Sequence, residues 1–234
     1  MNRLPALILF LATVAFAVAP FVTPPFTGYE PGRFPVEIPN PAIQPAGYAF
    51  SIWSVIYVWL ILHGGYGLWK RADDPAWARV RLPLTVATVL GTVWLGIAGA
   101  SPEWATVVIW VMAAAALTAF VRAPTEPDRW LLSAPTAIFA GWLTAAAAVS
   151  TGILISGYGW LGDTASAAAM LAVVSGIAVT IQMRRPAMPV FGLTVIWALV
   201  GVIVANASAN LTVAVLAASA IVVLAITLWA IRKA

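Results

Sequence analysis

The sequence predicts an all-α protein, a polytopic transmembrane helix bundle of about eight spans with both termini in the cytoplasm. Three observations predict it. Of 234 residues, 62% are hydrophobic and only 9% are charged, against about 25% charged in an ordinary soluble domain. A soluble fold of this composition would have almost nothing with which to cover its surface, whereas a bilayer accepts an apolar exterior. Second, eight apolar runs have the length of a spanning helix. Third, the basic residues gather on alternate connections.

The runs are Leu4–Val22, Gly47–Trp69, Leu82–Ala100, Glu103–Val121, Trp130–Ile155, Thr164–Met183, Met188–Ala205 and Leu211–Ile231. Each is near the roughly 17 to 25 residues that cross a hydrocarbon core of about 30 Å at about 1.5 Å per residue. None alternates in the manner of a strand. The first run follows Arg3 and could be read as a secretory signal ending at Ala17-Val18-Ala19. Pro20 would then be the first mature residue and cleaves poorly, so a retained helix is expected. Ser101-Pro102 opens the fourth run, and Asp128 and Asp163 precede the fifth and sixth, all as expected N-caps. Arg184-Arg185-Pro186 closes the sixth.

Twelve residues are Lys or Arg. Eleven fall on one side of an eight-span topology: Arg3; Lys70, Arg71, Arg79 and Arg81; Arg122 and Arg129; Arg184 and Arg185; Arg232 and Lys233. Only Arg33 falls on the other. That asymmetry sets N-in and C-in. It also explains the net charge of +4 as topology, so no nucleic-acid partner is expected. With no cysteine, disulfides, thiolate metal sites and a cysteine nucleophile are excluded.

The longest connection, residues 23–46, lies on the outer side and has prolines at 24, 25, 31, 35, 39, 41 and 45. It reads as a stiff loop with few free backbone donors. It is either a connector or a lid over an outward cavity.

Between the helix ends there is no Asp, Glu, Lys or Arg. Charges buried in membranes mark proton relays and ion sites, so ion coupling has no evident carboxylate. No retinal-type lysine lies in mid-span, and no nucleophile–base pair or metal cluster is visible, so enzymatic activity is not expected. His63, the only histidine, sits beside Gly64-Gly65. It reads either as an axial haem ligand or proton-sensing group, or as an interhelical hydrogen bond beneath a glycine patch, with the second favoured.

Of twelve tryptophans, Trp69, Trp77, Trp104, Trp130, Trp160 and Trp229 fit an interfacial belt. The others lie within spans. Helix direction places Tyr48, Phe50, Trp53, Tyr57, Trp94 and Trp110 toward the outer half, and Trp142 and Trp197 near the middle. Trp53 and Tyr57 share a helix face. These aromatics either pack helices and face lipid, or line a pocket for a flat apolar ligand. Ala137, Gly141 and Ala145 form a small-residue stripe that lets another helix approach closely beside Trp142.

Pro45-Ala46-Gly47-Tyr48-Ala49-Phe50-Ser51-Ile52-Trp53-Ser54-Val55-Ile56-Tyr57 resembles the tryptophan-rich sensory protein family, TspO/MBR, also called translocator proteins. These have a Pro-rich loop and then an aromatic entry to the second helix ending in Trp-x-x-x-Tyr. Pro135 and Gly141-Trp142-Leu143-Thr144 with the following alanine run are similar to the family's fifth helix. Trp197-Ala198-Leu199-Val200-Gly201 is similar to a segment of longer TspO-related bacterial proteins. The resemblance covers about residues 1–155. It implies a five-helix bundle around a pocket for a porphyrin, haem-like pigment or sterol-like lipid, capped by the first outer loop, with Trp53 and Trp142 as pocket tryptophans. Two positions depart from the family's pattern: Gly91 and Ser150 stand where it usually has asparagine.

The expected organisation is a TspO-like five-helix core at residues 1–155, including the loop 23–46, and a three-helix extension at 156–234. The expected function is a membrane receptor or sensor that binds a flat apolar ligand through Tyr48, Phe50, Trp53, Tyr57, Trp94, Trp110 and Trp142. No metal and no obligatory cofactor is expected, and the ligand would be a porphyrin or haem-like molecule or a lipid. The competing readings are a carrier for an apolar solute and a structural subunit of a larger membrane complex. The expected partners are the bilayer, the small ligand, and a second copy or complex partner. The expected location is a bacterial inner membrane.

Overall fold

The computed structural model describes residues 3–24, 28–30 and 32–233; Pro25 and Pro31 of the long loop lie outside the described residues. Among the described residues the regular elements are all helical, with no strand. The helices are α1 (Leu4–Val22), α2 (Ile52–Lys70), α3 (Pro75–Ala100), α4 (Pro102–Arg122), α5 (Ala134–Gly157), α6 (Asp163–Arg184), α7 (Val190–Asn206) and α8 (Leu211–Ile231). A 3-10 turn at Gly47–Ser51 leads into α2, and a π-helical turn at Arg129–Ser133 leads into α5. Among the described residues, seven segments are long and apolar enough to cross a bilayer. The remaining expected span, α7, is an apolar helix of 17 residues, or about 25 Å, which stands at the lower limit.

The largest boundary difference is at α3, which begins at Pro75 and not at Leu82. The Asp74 side chain accepts from Ala76 N at 2.8 Å, and Pro75 supplies the preset φ of a first helical position. Arg79 and Arg81 therefore lie on the opening turns of α3 and not in the connection. Ser101 caps α4 as expected, accepting from Trp104 N at 3.2 Å. Asp128 and Asp163 do not cap. The Asp128 side chain makes no cap hydrogen bond, because Arg71 and Trp77 take both its oxygens. Gly162 is the N-cap of α6, and the Asp163 carboxylate instead accepts from Ala42 N, at 3.1 Å to each oxygen. A carboxylate goes to the donor that burial leaves most in need of it. In each case that donor comes from a distant part of the chain.

The chain divides into two compact units. The first comprises Met1–Thr27 and Ile52–Leu143, and the second Gly28–Ser51 and Thr144–Ala234. In the first, α1 packs against both α2 and α3, and α3 packs against α4. Glycine permits the α1–α2 approach: a Cβ on Gly64 would lie 2.9 Å from Thr13 Oγ1 and 3.1 Å from Phe10 Cα.

In the second unit, α8 packs on α6 and α7, and the long loop is fastened to this same set. Val36 N donates to Gly157 O at 2.9 Å, and Ala46 N to Gly201 O at 3.0 Å. Asn206 Nδ2 donates to Ala42 O at 2.7 Å, and Trp197 Nε1 to Ala49 O at 2.9 Å. A Cβ on Gly201 would come within 2.8 Å of Pro45 Cβ and 2.9 Å of Ala49 Cβ. The few amide donors that a proline-rich segment keeps are thus matched to acceptors on α5, α6 and α7.

Five of the six expected belt tryptophans, Trp69, Trp104, Trp130, Trp160 and Trp229, are 60% or more exposed, as lipid-headgroup anchors are. Trp77 is the exception. It is 1% exposed and belongs to the core.

Candidate functional site

The first unit gathers aromatic rings from three helices. Trp53 and Tyr57, one turn apart on α2, stack with ring centres 5.4 Å apart and planes 16° apart. Trp142 on α5 meets Trp53 edge-on at 6.1 Å and 85°. Phe139, three residues before Trp142 and on its face, touches Trp53 at 6.5 Å. Phe16 from α1 meets Trp53 at 5.8 Å and Tyr57 at 5.0 Å, both edge-on, and Phe139 at 5.5 Å. Edge-to-face geometry sets the positive rim of one ring against the negative face of the next, worth about 0.5–1.5 kcal/mol per pair beyond burial. Phe16, Phe139 and Trp142 are buried, while Trp53 and Tyr57 are partly open. The Tyr57 phenol is the one ionisable group of the five.

Three of the expected site residues, Trp53, Tyr57 and Trp142, therefore come together. Trp94 is fixed to α4 through Nε1–H donating to Ala105 O at 2.9 Å. Trp110 is half-buried on α4. Tyr48 and Phe50 belong to the second unit, in the turn before α2. The Tyr48 ring packs edge-on against Trp197 at 5.5 Å, and both Tyr48 and Phe50 are 43% exposed.

Sequence patterning does not single out Phe16 or Phe139. Phe139 carries a usable signal, since it stands one turn before Trp142 on the same face. Phe16 carries none on its own helix; its counterpart is an absence on another. A Cβ on Gly91 would collide with Phe16 Cε2 and lie 2.8 Å from its Cδ2. The position where the resemblance implies an asparagine is empty of side chain, and a phenyl ring fills the space.

A polar knot forms at the other end of α2. His63 is fully buried, and its Nδ1 is 2.7 Å from Leu131 O. A carbonyl only accepts, so Nδ1 carries the proton. The imidazole stacks on Trp77 at 4.7 Å and 23°, and Gly67 leaves room for the indole, where a Cβ would lie 2.9 Å from it. Trp77 Nε1 donates to Asp128 Oδ2 at 2.9 Å. Arg71 grips the same carboxylate with Nε at 2.8 Å and Nη2 at 3.2 Å, and Arg81 Nη2 donates to Arg71 O at 2.7 Å. Beside it, Trp59 Nε1 donates to Trp130 O at 2.6 Å and the two indoles stack. His63 is thus a tie between α2 and the entry to α5.

Burial works to raise the Asp128 carboxyl, but the hydrogen bonds from Arg71 and Trp77 and the Arg71 charge outweigh it and hold it below the usual carboxylate value. A depressed folded-state value stabilises the fold fully above the ordinary carboxylate range, and that stability is lost as pH falls through the folded value. Melting temperature of the detergent-solubilised protein should therefore fall on acidification. The gap between wild type and Asp128→Asn should be open at neutral pH and close in acid.

A family model described as TSPO-like protein matches residues 3–230. The match runs on through α6, α7 and α8, beyond the residues 1–155 that the resemblance in the sequence covers. No curated protein and no solved structure matches the chain.

Proposed function

The chain belongs to the TSPO-like protein family and is an integral multi-pass membrane protein; on that premise we propose that it binds a flat, uncharged, apolar ligand among the rings of Trp53, Tyr57 and Trp142. The observation that carries this reading is the meeting of five aromatic residues from α1, α2 and α5 in one cluster of stacked and edge-to-face rings. Such a cluster offers ring faces and edges to a planar guest, and a phenol to orient it. It offers no cation to a carboxylate, so a neutral porphyrin ester, pigment or sterol-like lipid suits it better than a free acid. The role is binding and sensing, in a membrane where both chain ends face the cytoplasm.

The test is titration of the protein in lipid nanodiscs with neutral planar compounds, reading tryptophan emission against empty nanodiscs for partitioning. Saturable quenching that weakens in Trp53→Phe and Trp142→Phe is expected. Emission that follows lipid partitioning alone, equal in all three proteins, would overturn the reading.

A further inference from the structure

Phe16 is the hub of the cluster. It touches Trp53, Tyr57 and Phe139, and it is the smallest kind of ring present. Every other member sits beside a partner of its own helix, Trp53 by Tyr57 and Phe139 by Trp142. Phe16 comes alone from α1, and behind its ring is the bare backbone of Gly91. Removing the phenyl would leave a slot of one-ring size, bounded by the Trp53–Tyr57 stack, the Phe139 ring and the backbone of Gly91. An apolar void of that kind stays dry and takes an aromatic guest.

We propose that Phe16 is the specificity-determining residue of this site: its ring occupies the slot that part of the ligand takes, and it sets the size of planar molecule the protein admits. The inference rests on the aromatic-site reading above. The geometry also says why position 91 carries no side chain. Even one methyl there would collide with the Phe16 ring and force it to shift from its present place.

The test uses the full chain in nanodiscs with naphthalene and pyrene as small and large planar probes, read by tryptophan quenching and energy transfer. Phe16→Ala should shift the preference toward pyrene by at least about tenfold, the equivalent of about 1.4 kcal/mol. Phe16→Leu, which keeps most of the volume and loses the plane, should shift it in the same direction by less, and serves if the alanine variant does not fold. Gly91→Ala should weaken both probes several-fold in the wild-type background and do nothing in the Phe16→Ala background, because the ring it displaces is then gone. An unchanged pyrene-to-naphthalene ratio in the folded Phe16 variants, with binding intact, overturns this inference and leaves the site reading standing. Equal effects of Gly91→Ala in both backgrounds also overturn it. No binding of either probe to any of the proteins overturns both.

Discussion

Replacing Trp77 by alanine is expected to destabilise the protein by about 3–5 kcal/mol, the range for truncating a fully buried aromatic. The side chain is 1% exposed and does three jobs together. Its face supports His63, its Nε1–H holds Asp128, and its six-membered ring fills the hollow over Gly67. The loss has both a cavity term and an orphaned carboxylate oxygen. Trp77→Phe should recover the packing share and not the hydrogen bond, so it falls between. Trp69→Ala is the control: that indole is 72% exposed, and a surface change of this kind stays within about 0.5 kcal/mol. Denaturant or thermal unfolding in one detergent, followed by near-ultraviolet circular dichroism, measures all three. If Trp77→Ala and Trp69→Ala cost the same, the knot does not hold α2 to the entry of α5.

The second large effect is at Trp142. This indole is 2% exposed and lies on the stretch of α5 where Ala137, Gly141 and Ala145 are all buried. Trp142→Ala is expected to cost about 3–5 kcal/mol through the void it leaves, and to abolish saturable quenching by a planar ligand. Trp142→Phe separates the two consequences. It retains a ring against Trp53, so most of the stability returns, while the indole face that a ligand would use is reduced. Loss of stability in Trp142→Ala with ligand affinity untouched would make this residue a packing element alone.

Several features are legible in the sequence because their causes are local. The limits of α1 and α8 are readable to the residue, because a long apolar run bounded by polar groups has one solution in a bilayer. Trp53 and Tyr57 are readable as a facing pair, because four residues are close to one helical turn. Trp142 is readable through the resemblance at Gly141-Trp142-Leu143-Thr144. The N-cap at Ser101 is readable because its partner, Trp104 N, is three residues away.

Features with a distant partner are not legible in this way. Asp128 and Asp163 both look like caps, since an acidic residue before an apolar run is the usual sign of one. Each is drawn to donors far along the chain, at Arg71 and Trp77 and at Ala42. Trp77 looks like a belt residue, because it stands among basic residues at a span's edge. It is buried because α3 begins about two turns ahead of its apolar run and turns the indole inward.

Consecutive residues therefore settle that this chain spans a membrane many times, where the apolar part of each helix lies, and which helix faces are aromatic. Hydropathy and the 3.6-residue period govern all three. Folding in three dimensions was needed to tie the outer loop to α5, α6 and α7, to pair Tyr48 with Trp197, and to fill the space left bare at Gly91 with Phe16. The division arises because a lipid-immersed interface is selected by close packing and by satisfying buried donors. Both depend on which surfaces meet, and no local pattern records that.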